Sequence, residues 1–145
     1  MHLNILIKYY SLSGNTKAVA EIMAENIRNK GHNVLISDVK SLEIPTDYDL
    51  LLIGTMTIGD GKLPPKVRKY LRWLIKENDF KLPKVGVYGT GDTQWTHYCR
   101  GVDELEYHLG KVTDVIGKLK IEQHPINQKG KVIKYINEIM EEFVE

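Results

Sequence analysis

The chain holds a single cysteine, Cys99, in 145 residues. One thiol excludes an intrachain disulfide framework and any zinc site built from several thiolates. Net charge is also scarce: 20 Lys+Arg stand against 19 Asp+Glu, leaving +1 at neutral pH. That balance removes the bulk electrostatic argument for nucleic acid or an anionic membrane as a partner. No apolar run approaches the ~18 residues of a membrane span, and Met1-His2-Leu3-Asn4 does not open a signal peptide. Internal repeats, linkers and low-complexity segments are missing too, which argues against wholesale disorder and against any domain boundary. His2, His32, His108 and His124 are scattered at no metal-ligand spacing. What remains is one cytoplasmic domain spanning 1–145, long enough to bury about two-thirds of its unfolded surface.

Apolar runs alternate with helix-period stretches. Leu3 to Ile7 reads as a short buried strand, followed by the stripe Val19, Ile22, Met23, Ile27 of an amphipathic helix that Gly31 ends. Val34-Leu35-Ile36 is a second strand and Leu50 to Ile53 a third, apolar throughout as in a sheet covered on both faces. Pro64 and Pro65 open a helix bearing Val67, Leu71, Leu74 and Ile75. Val85 to Tyr88 is the fourth strand, and a helix from about Val102 carries Leu105 and Leu109. Val112 to Ile121 holds a fifth strand interrupted near Gly117, and a last helix places Val132, Ile133, Ile136, Ile139, Met140 and Phe143 on one face. Five strands alternating with four helices imply right-handed crossovers and a doubly wound α/β fold with a parallel sheet.

In such a sheet ligands bind beyond the carboxyl ends of the strands, where the winding reverses. Three loops leave those ends: Ser11-Leu12-Ser13-Gly14-Asn15-Thr16, the stretch Thr55 to Lys62, and the stretch Gly89 to Cys99. Small hydroxyl and amide side chains, one glycine and a helix start give the first loop the chemistry of a phosphate cradle. It lacks the second glycine and lysine of a Walker A loop, and it is not G-x-G-x-x-G. The second loop offers Gly59 and Gly61 with Ile58 beside them; the third offers Trp95 on a Gly- and Asp-rich turn. Each has a plainer reading alone: a helix cap, a tight turn, a packed rim aromatic. Together on the binding edge they describe a site for a mononucleotide with a planar head.

These loops resemble those of flavodoxins. Ser11 with Ser13-Gly14-Asn15-Thr16 matches that family's phosphate loop. Thr57-Ile58-Gly59-Asp60-Gly61-Lys62-Leu63-Pro64 matches its aromatic-Gly-Asp-Gly-x-Leu-Pro stretch. Gly89-Thr90-Gly91-Asp92, continued through Trp95 to Tyr98-Cys99 and into Val102-Asp103-Glu104-Leu105-Glu106, matches its third loop and the helix that follows. The resemblance covers nearly the whole chain. It implies the five-stranded order 2-1-3-4-5, and the lack of a long insertion in the fifth strand implies the short-chain type.

The resemblance further implies bound flavin mononucleotide (FMN). Ser11, Leu12, Ser13, Gly14, Asn15 and Thr16 would hold the phosphate, with Thr55, Met56 and Thr57 leading into the second loop. Trp95 would stack on the outer flavin face, and Ile58 sits where the family often has an inner-face aromatic. Gly59 corresponds to the residue whose carbonyl turns toward flavin N5 when that atom gains a proton. Gly89 and the backbone from Thr90 to Asp92, with Tyr98 and Cys99 nearby, would contact the pyrimidine edge. Asp60 and Asp92 would disfavour negative charge on the reduced ring, although a near-neutral chain should make the second couple less negative than in acidic flavodoxins. Catalytic side chains are not expected, because the cofactor carries the chemistry. Cys99 reads as a packed thiol.

The implied function is a low-potential, monomeric electron carrier between a flavodoxin reductase and a redox acceptor protein. Three alternatives share some features. A flavoprotein activator of a dimanganese ribonucleotide reductase subunit has the same fold and phosphate loop. A small FMN-dependent reductase would need a nicotinamide site that the chain does not display. A phosphoacceptor receiver would need an acidic pair after the first strand. Two charged runs complete the reading. Between Gly89 and Gly110, Asp92, Asp103, Glu104 and Glu106 face one base, Arg100; between Pro64 and Glu77, Lys66, Arg68, Lys69, Arg72 and Lys76 face one acid. Both are ordinary for solvated helix faces, or they form a bipolar docking face beside the flavin.

Overall fold

The computed structural model describes residues 2–58, 62–77, 81–92 and 98–144. The expectations for Gly59, Asp60, Gly61 and Trp95 fall outside them. Five strands form one parallel sheet in the order β2-β1-β3-β4-β5: β1 Asn4–Tyr10, β2 Asn33–Asp38, β3 Leu50–Met56, β4 Lys84–Gly91 and β5 Val115–Glu122. Helix α1 (Asn15–Asn29) crosses from β1 to β2, α2 (Pro65–Ile75) from β3 to β4, α3 (Arg100–Leu109) from β4 to β5, and α4 (Lys129–Glu141) follows β5. Among the described residues no helix is long and apolar enough to cross a membrane, and no cluster of His, Cys, Asp or Glu could hold a metal ion.

Strand residues alternate between two cores because successive side chains point to opposite faces. Ile5, Ile7, Leu50 and Leu52 pack with Val19, Met23 and Ile27 of α1 and Ile136 and Ile139 of α4. Leu6, Leu51, Ile53, Val85 and Val87 pack with Val67, Tyr70, Leu71 and Leu74 of α2 and Val102, Leu105 and Leu109 of α3. Double coverage is why β1, β3 and β4 read as continuous apolar runs.

The strands extend beyond those runs. Parallel pairing carries β1 to Tyr10 against Thr55, and β3 to Met56 against Thr90. Thr55, Met56, Gly89, Thr90 and Gly91 therefore belong to strands, while Asn15 and Thr16 belong to α1. The expected interruption of β5 is a register shift: Val85 faces Val115 but Gly86 faces Gly117, so Ile116 is the extra residue. A correction applies in α4. Ile133 is exposed, and Tyr135 takes its place in the core, its hydroxyl donating to the Val87 carbonyl at 2.7 Å. Phe143 packs against the core from beyond the helix end.

One buried residue went unread in the sequence. Lys8 of β1 is fully buried, and its ammonium lies within 3.0 Å of five oxygens: Ser37 Oγ, Asp38 O, Ser41 O, Ser41 Oγ and Glu43 Oε1. It also sits 5.3 Å from the Tyr70 ring centroid. Burial pulls the Lys8 amine below its ordinary value, against the upward pull of Glu43 and Asp38. Burial pushes the Glu43 carboxyl up, but hydrogen bonds from Lys8, Ser41 and Ser37, with the charge of Lys8, outweigh it and hold the carboxyl at about 2. The pair is ionised at neutral pH, and it fastens the segment after β2 onto β1 and α2.

Candidate cofactor site at the switch point

The winding reverses between β1 and β3, since β1 leads outward to β2 while the chain returns to β3 on its other side. A crevice beyond the carboxyl ends of these two strands is the expected ligand site. Ser11 to Gly14 leave β1 there and start α1. Gly14, at the helix N-cap, has φ of 91°, a left-handed backbone that a glycine adopts without strain. Its N–H donates to Ser11 Oγ at 3.0 Å, and its carbonyl accepts the first helical bond from Ala18 at 2.9 Å. No side chain caps α1 and no acid occupies its first turn. The amides at this helix start are therefore open, and their partial positive charge is aimed outward. An uncapped, left-handed helix start of this kind fits a phosphate.

The side chains in this loop divide into free and committed groups. Ser13 and Leu12 are exposed, whereas Thr16 is buried with its hydroxyl 2.7 Å from the hydroxyl of Thr90 on β4. That bond joins the first loop to the carboxyl end of β4. Thr55 is buried as well, and its hydroxyl donates to the Met56 carbonyl at 2.7 Å. Thr57 differs. Its N–H donates to the Thr90 carbonyl at 3.2 Å, but its buried hydroxyl has no partner among the described residues. A buried hydroxyl without a partner costs free energy unless a ligand or water completes it. Ile58 is half-buried and forms an isolated antiparallel bridge with Lys62.

The third loop is anchored at both ends. Gly89 lies so close to β3 that a Cβ there would fall 2.4 Å from the Thr55 carbonyl oxygen. The Gly91 carbonyl accepts from Gln123 at 2.8 Å, and the Asp92 carboxylate accepts from the Gln123 side chain at 3.3 Å. Cys99 and Gln123 are both left-handed, with φ of 50° and 53°, which costs of order 1–3 kcal/mol each. No motif in the chain foretells this pairing of loop ends. Cys99 is fully buried in the second core, with Sγ 3.9 Å from the Ile121 carbonyl, and burial pushes its thiol up to about 11. It is a packed thiol, and a Cβ at Gly91 would fall 3.0 Å from its Sγ and 3.2 Å from its backbone N. Tyr98 beside it is half-buried, and burial with the neighbouring thiol raises its phenol.

The charged runs need correction on one side. Asp103 of α3 accepts from Lys118 at 3.1 Å and Lys120 at 2.8 Å, and Glu106 accepts from Lys118 at 3.0 Å. Cations on β5 thus meet two of the four acids of that run, Asp103 and Glu106, so the linear charge pattern overstates the acidity of the α3 flank. The basic run on α2 makes no ion pair among the described residues.

Fold and site together define a mononucleotide-binding α/β protein: a 2-1-3-4-5 sheet with an uncapped helix start at its switch point. Comparison with known proteins narrows the class. The flavodoxin family pattern matches residues 7–130. The chain is 35% identical over 126 residues to a flavodoxin of Maridesulfovibrio salexigens, spanning 83% of this chain and 86% of that protein. It is 33% identical over 128 residues to probable flavodoxin 2 of Bacillus subtilis, spanning 83% of each. The crystal structure of oxidised flavodoxin 2 from Bacillus cereus superposes with a TM-score of 0.88 at 29% identity, covering 97% of this chain and 99% of that one. The chain belongs to the flavodoxin family, in its short-chain form. It is an FMN-binding electron-transfer protein, a carrier and not an enzyme.

Proposed function

We propose that the FMN of this carrier is held by the three loops residue by residue. The phosphate lies over Ser11, Leu12, Ser13, Gly14, Asn15 and Thr16, contacted chiefly by backbone amides, since the Thr16 hydroxyl is already committed to Thr90. The observation that carries this reading is the α1 start, open, uncapped and left-handed at Gly14. The orphaned Thr57 hydroxyl supplies a second polar contact, with Thr55 and Met56 leading into it from the end of β3. Ile58, Gly59 and Asp60 line one side of the ring. Trp95 covers the other face, and Gly89, Thr90, Gly91 and Asp92, with Tyr98 and Cys99 nearby, meet the pyrimidine edge. Bound FMN supplies the redox chemistry, taking up and releasing electrons singly.

The polypeptide contributes neutral dipoles at the phosphate and rigid strand ends beneath the ring. The loop offers no Lys or Arg at the phosphate. A neutral cradle holds a resident cofactor without competing with other ions for a fixed counter-charge. We further propose that the protein works as a cytoplasmic monomer between a flavodoxin reductase and an acceptor protein, since a shuttle must leave the ring edge free for both.

Titration of apoprotein with FMN and with riboflavin, followed by flavin fluorescence quenching, tests the assignment. Two or more charge-assisted bonds from the nest should favour FMN by about a hundredfold or more. Equal affinity for riboflavin would remove the phosphate from the Ser11–Thr16 loop.

A further inference from the structure

A cleft lies away from the three loops. It has a volume of about 620 Å³ and runs between the segment after β2 and the outer face of α2. Its walls carry Lys40, Lys66, Arg68, Lys69 and Arg72, all exposed, against a single acid, Glu77. Its floor is apolar: Val39 and Tyr70 are buried, and Trp73 packs on Tyr70 with ring centroids 5.8 Å apart. None of the five cations makes an ion pair among the described residues. On the α3 flank, by contrast, Asp103 and Glu106 are paired with Lys118 and Lys120.

From this we propose that the cleft is a docking groove for an acidic segment of a redox partner protein. The inference rests on the carrier reading and extends it by naming a surface and a charge. Position favours it. Helix α2 starts directly after the second loop, at Pro65, and the segment after β2 begins at the same carboxyl edge of the sheet. An acidic segment seated in the groove would bring its protein to the rim where the flavin lies. Shape favours a protein as well: the cations form two walls over an apolar floor, and that floor suits a peptide carrying apolar residues among its acids.

One wall is fixed before any partner arrives. Lys8 and Glu43 clamp the segment after β2, and the Lys40 N–H donates to the Asp38 carboxylate at 2.8 Å. A preorganised wall lowers the ordering cost of docking. Interface charges of this kind act mostly on association rate and partner choice, so binding should weaken with salt.

The test uses FMN-loaded protein and amide NMR titrations with three probes: an oligoglutamate peptide, an oligolysine peptide and an oligothymidylate. Oligoglutamate should shift amides at Lys40 and along Lys66–Trp73, weakening from low to physiological ionic strength, while oligolysine leaves them in place. The triple variant Arg68→Gln, Lys69→Gln, Arg72→Gln should weaken oligoglutamate binding by about tenfold or more. The control Lys129→Gln, Lys134→Gln on α4 should change it little. Absence of shifts at the groove, equal loss in the control, or tighter binding of oligothymidylate than of oligoglutamate overturns the proposal. FMN retention and the flavin absorbance spectrum of the wild type and the triple variant are read in the same samples. Their loss in wild-type protein would count against the carrier reading, and their retention with a silent groove would count against the groove alone.

Discussion

Lys8 and the Ser11–Gly14 loop lie on one strand and the turn that leaves it, yet they treat their polar groups in opposite ways. At Lys8 a full charge is buried and met by five oxygens, including a carboxylate at 2.6 Å. Beyond Tyr10 the charges are gone, and the amides of the α1 start stay open. The saturated group is scaffold, because every donor it has is already used and nothing else can bind there. The unsaturated group is a site, because helix geometry forces its donors outward without partners. In this fold the two lie side by side, and the scaffold holds the strand from which the site projects.

Breaking the saturated half should have the largest effect. Lys8→Met strands Glu43 beside Ser37 and Ser41 and removes the clamp, at a cost of about 3–5 kcal/mol in urea unfolding. Adding Glu43→Leu should recover much of the loss, because a buried pair replaced by apolar groups is often near neutral. A single variant as stable as wild type would mean that the clamp contributes nothing.

Acid should expose the same pair. The folded Glu43 carboxyl lies at about 2, below its ordinary 4.5. Its contribution to stability is therefore fully present above about pH 4.5 and is lost as pH falls toward 2. Glu43→Gln should flatten that part of the stability curve, measured as urea midpoint against pH. An unchanged acid limb would assign it to other carboxylates.

On the open side, Gly14→Ala forces a Cβ into the left-handed region, costing ~1–2 kcal/mol by chemical unfolding. Space is not the obstacle, since nothing lies within 4 Å of where that Cβ would stand. FMN affinity should fall along with stability if the substitution turns the nest amides away. Unaltered affinity would show that the nest tolerates another backbone. The smallest effect is expected at Cys99. Burial and a thiol raised to about 11 should leave it unalkylated in native protein at neutral pH, and rapid iodoacetamide labelling would contradict its packing.

Much of the fold could be read because apolar runs such as Leu50 to Ile53 have no place except inside a two-faced sheet. The strand ends could not. Tyr10, Met56 and Gly91 join the ladder through neighbours distant in sequence. Ile133 was misplaced because helical periodicity does not say which of two adjacent apolar residues meets the sheet, and Tyr135 reaches Val87 with its hydroxyl. Lys8 escaped notice since a lysine in a strand ordinarily lies at an edge or surface. The three loops were legible as motifs, whereas the committed hydroxyls of Thr16 and Thr55 and the orphan at Thr57 were not.

Local chemistry alone determined the doubly wound architecture and the neutral phosphate loop, because hydrophobic period, glycine and small polar residues act over neighbouring positions. Tertiary structure decided which charges remain available. Asp103 and Glu106 are met by Lys118 and Lys120 across α3 and β5, while the cations of α2 find no such partner among the described residues. Electrostatic pairing depends on distance in space, and the fold sets that distance.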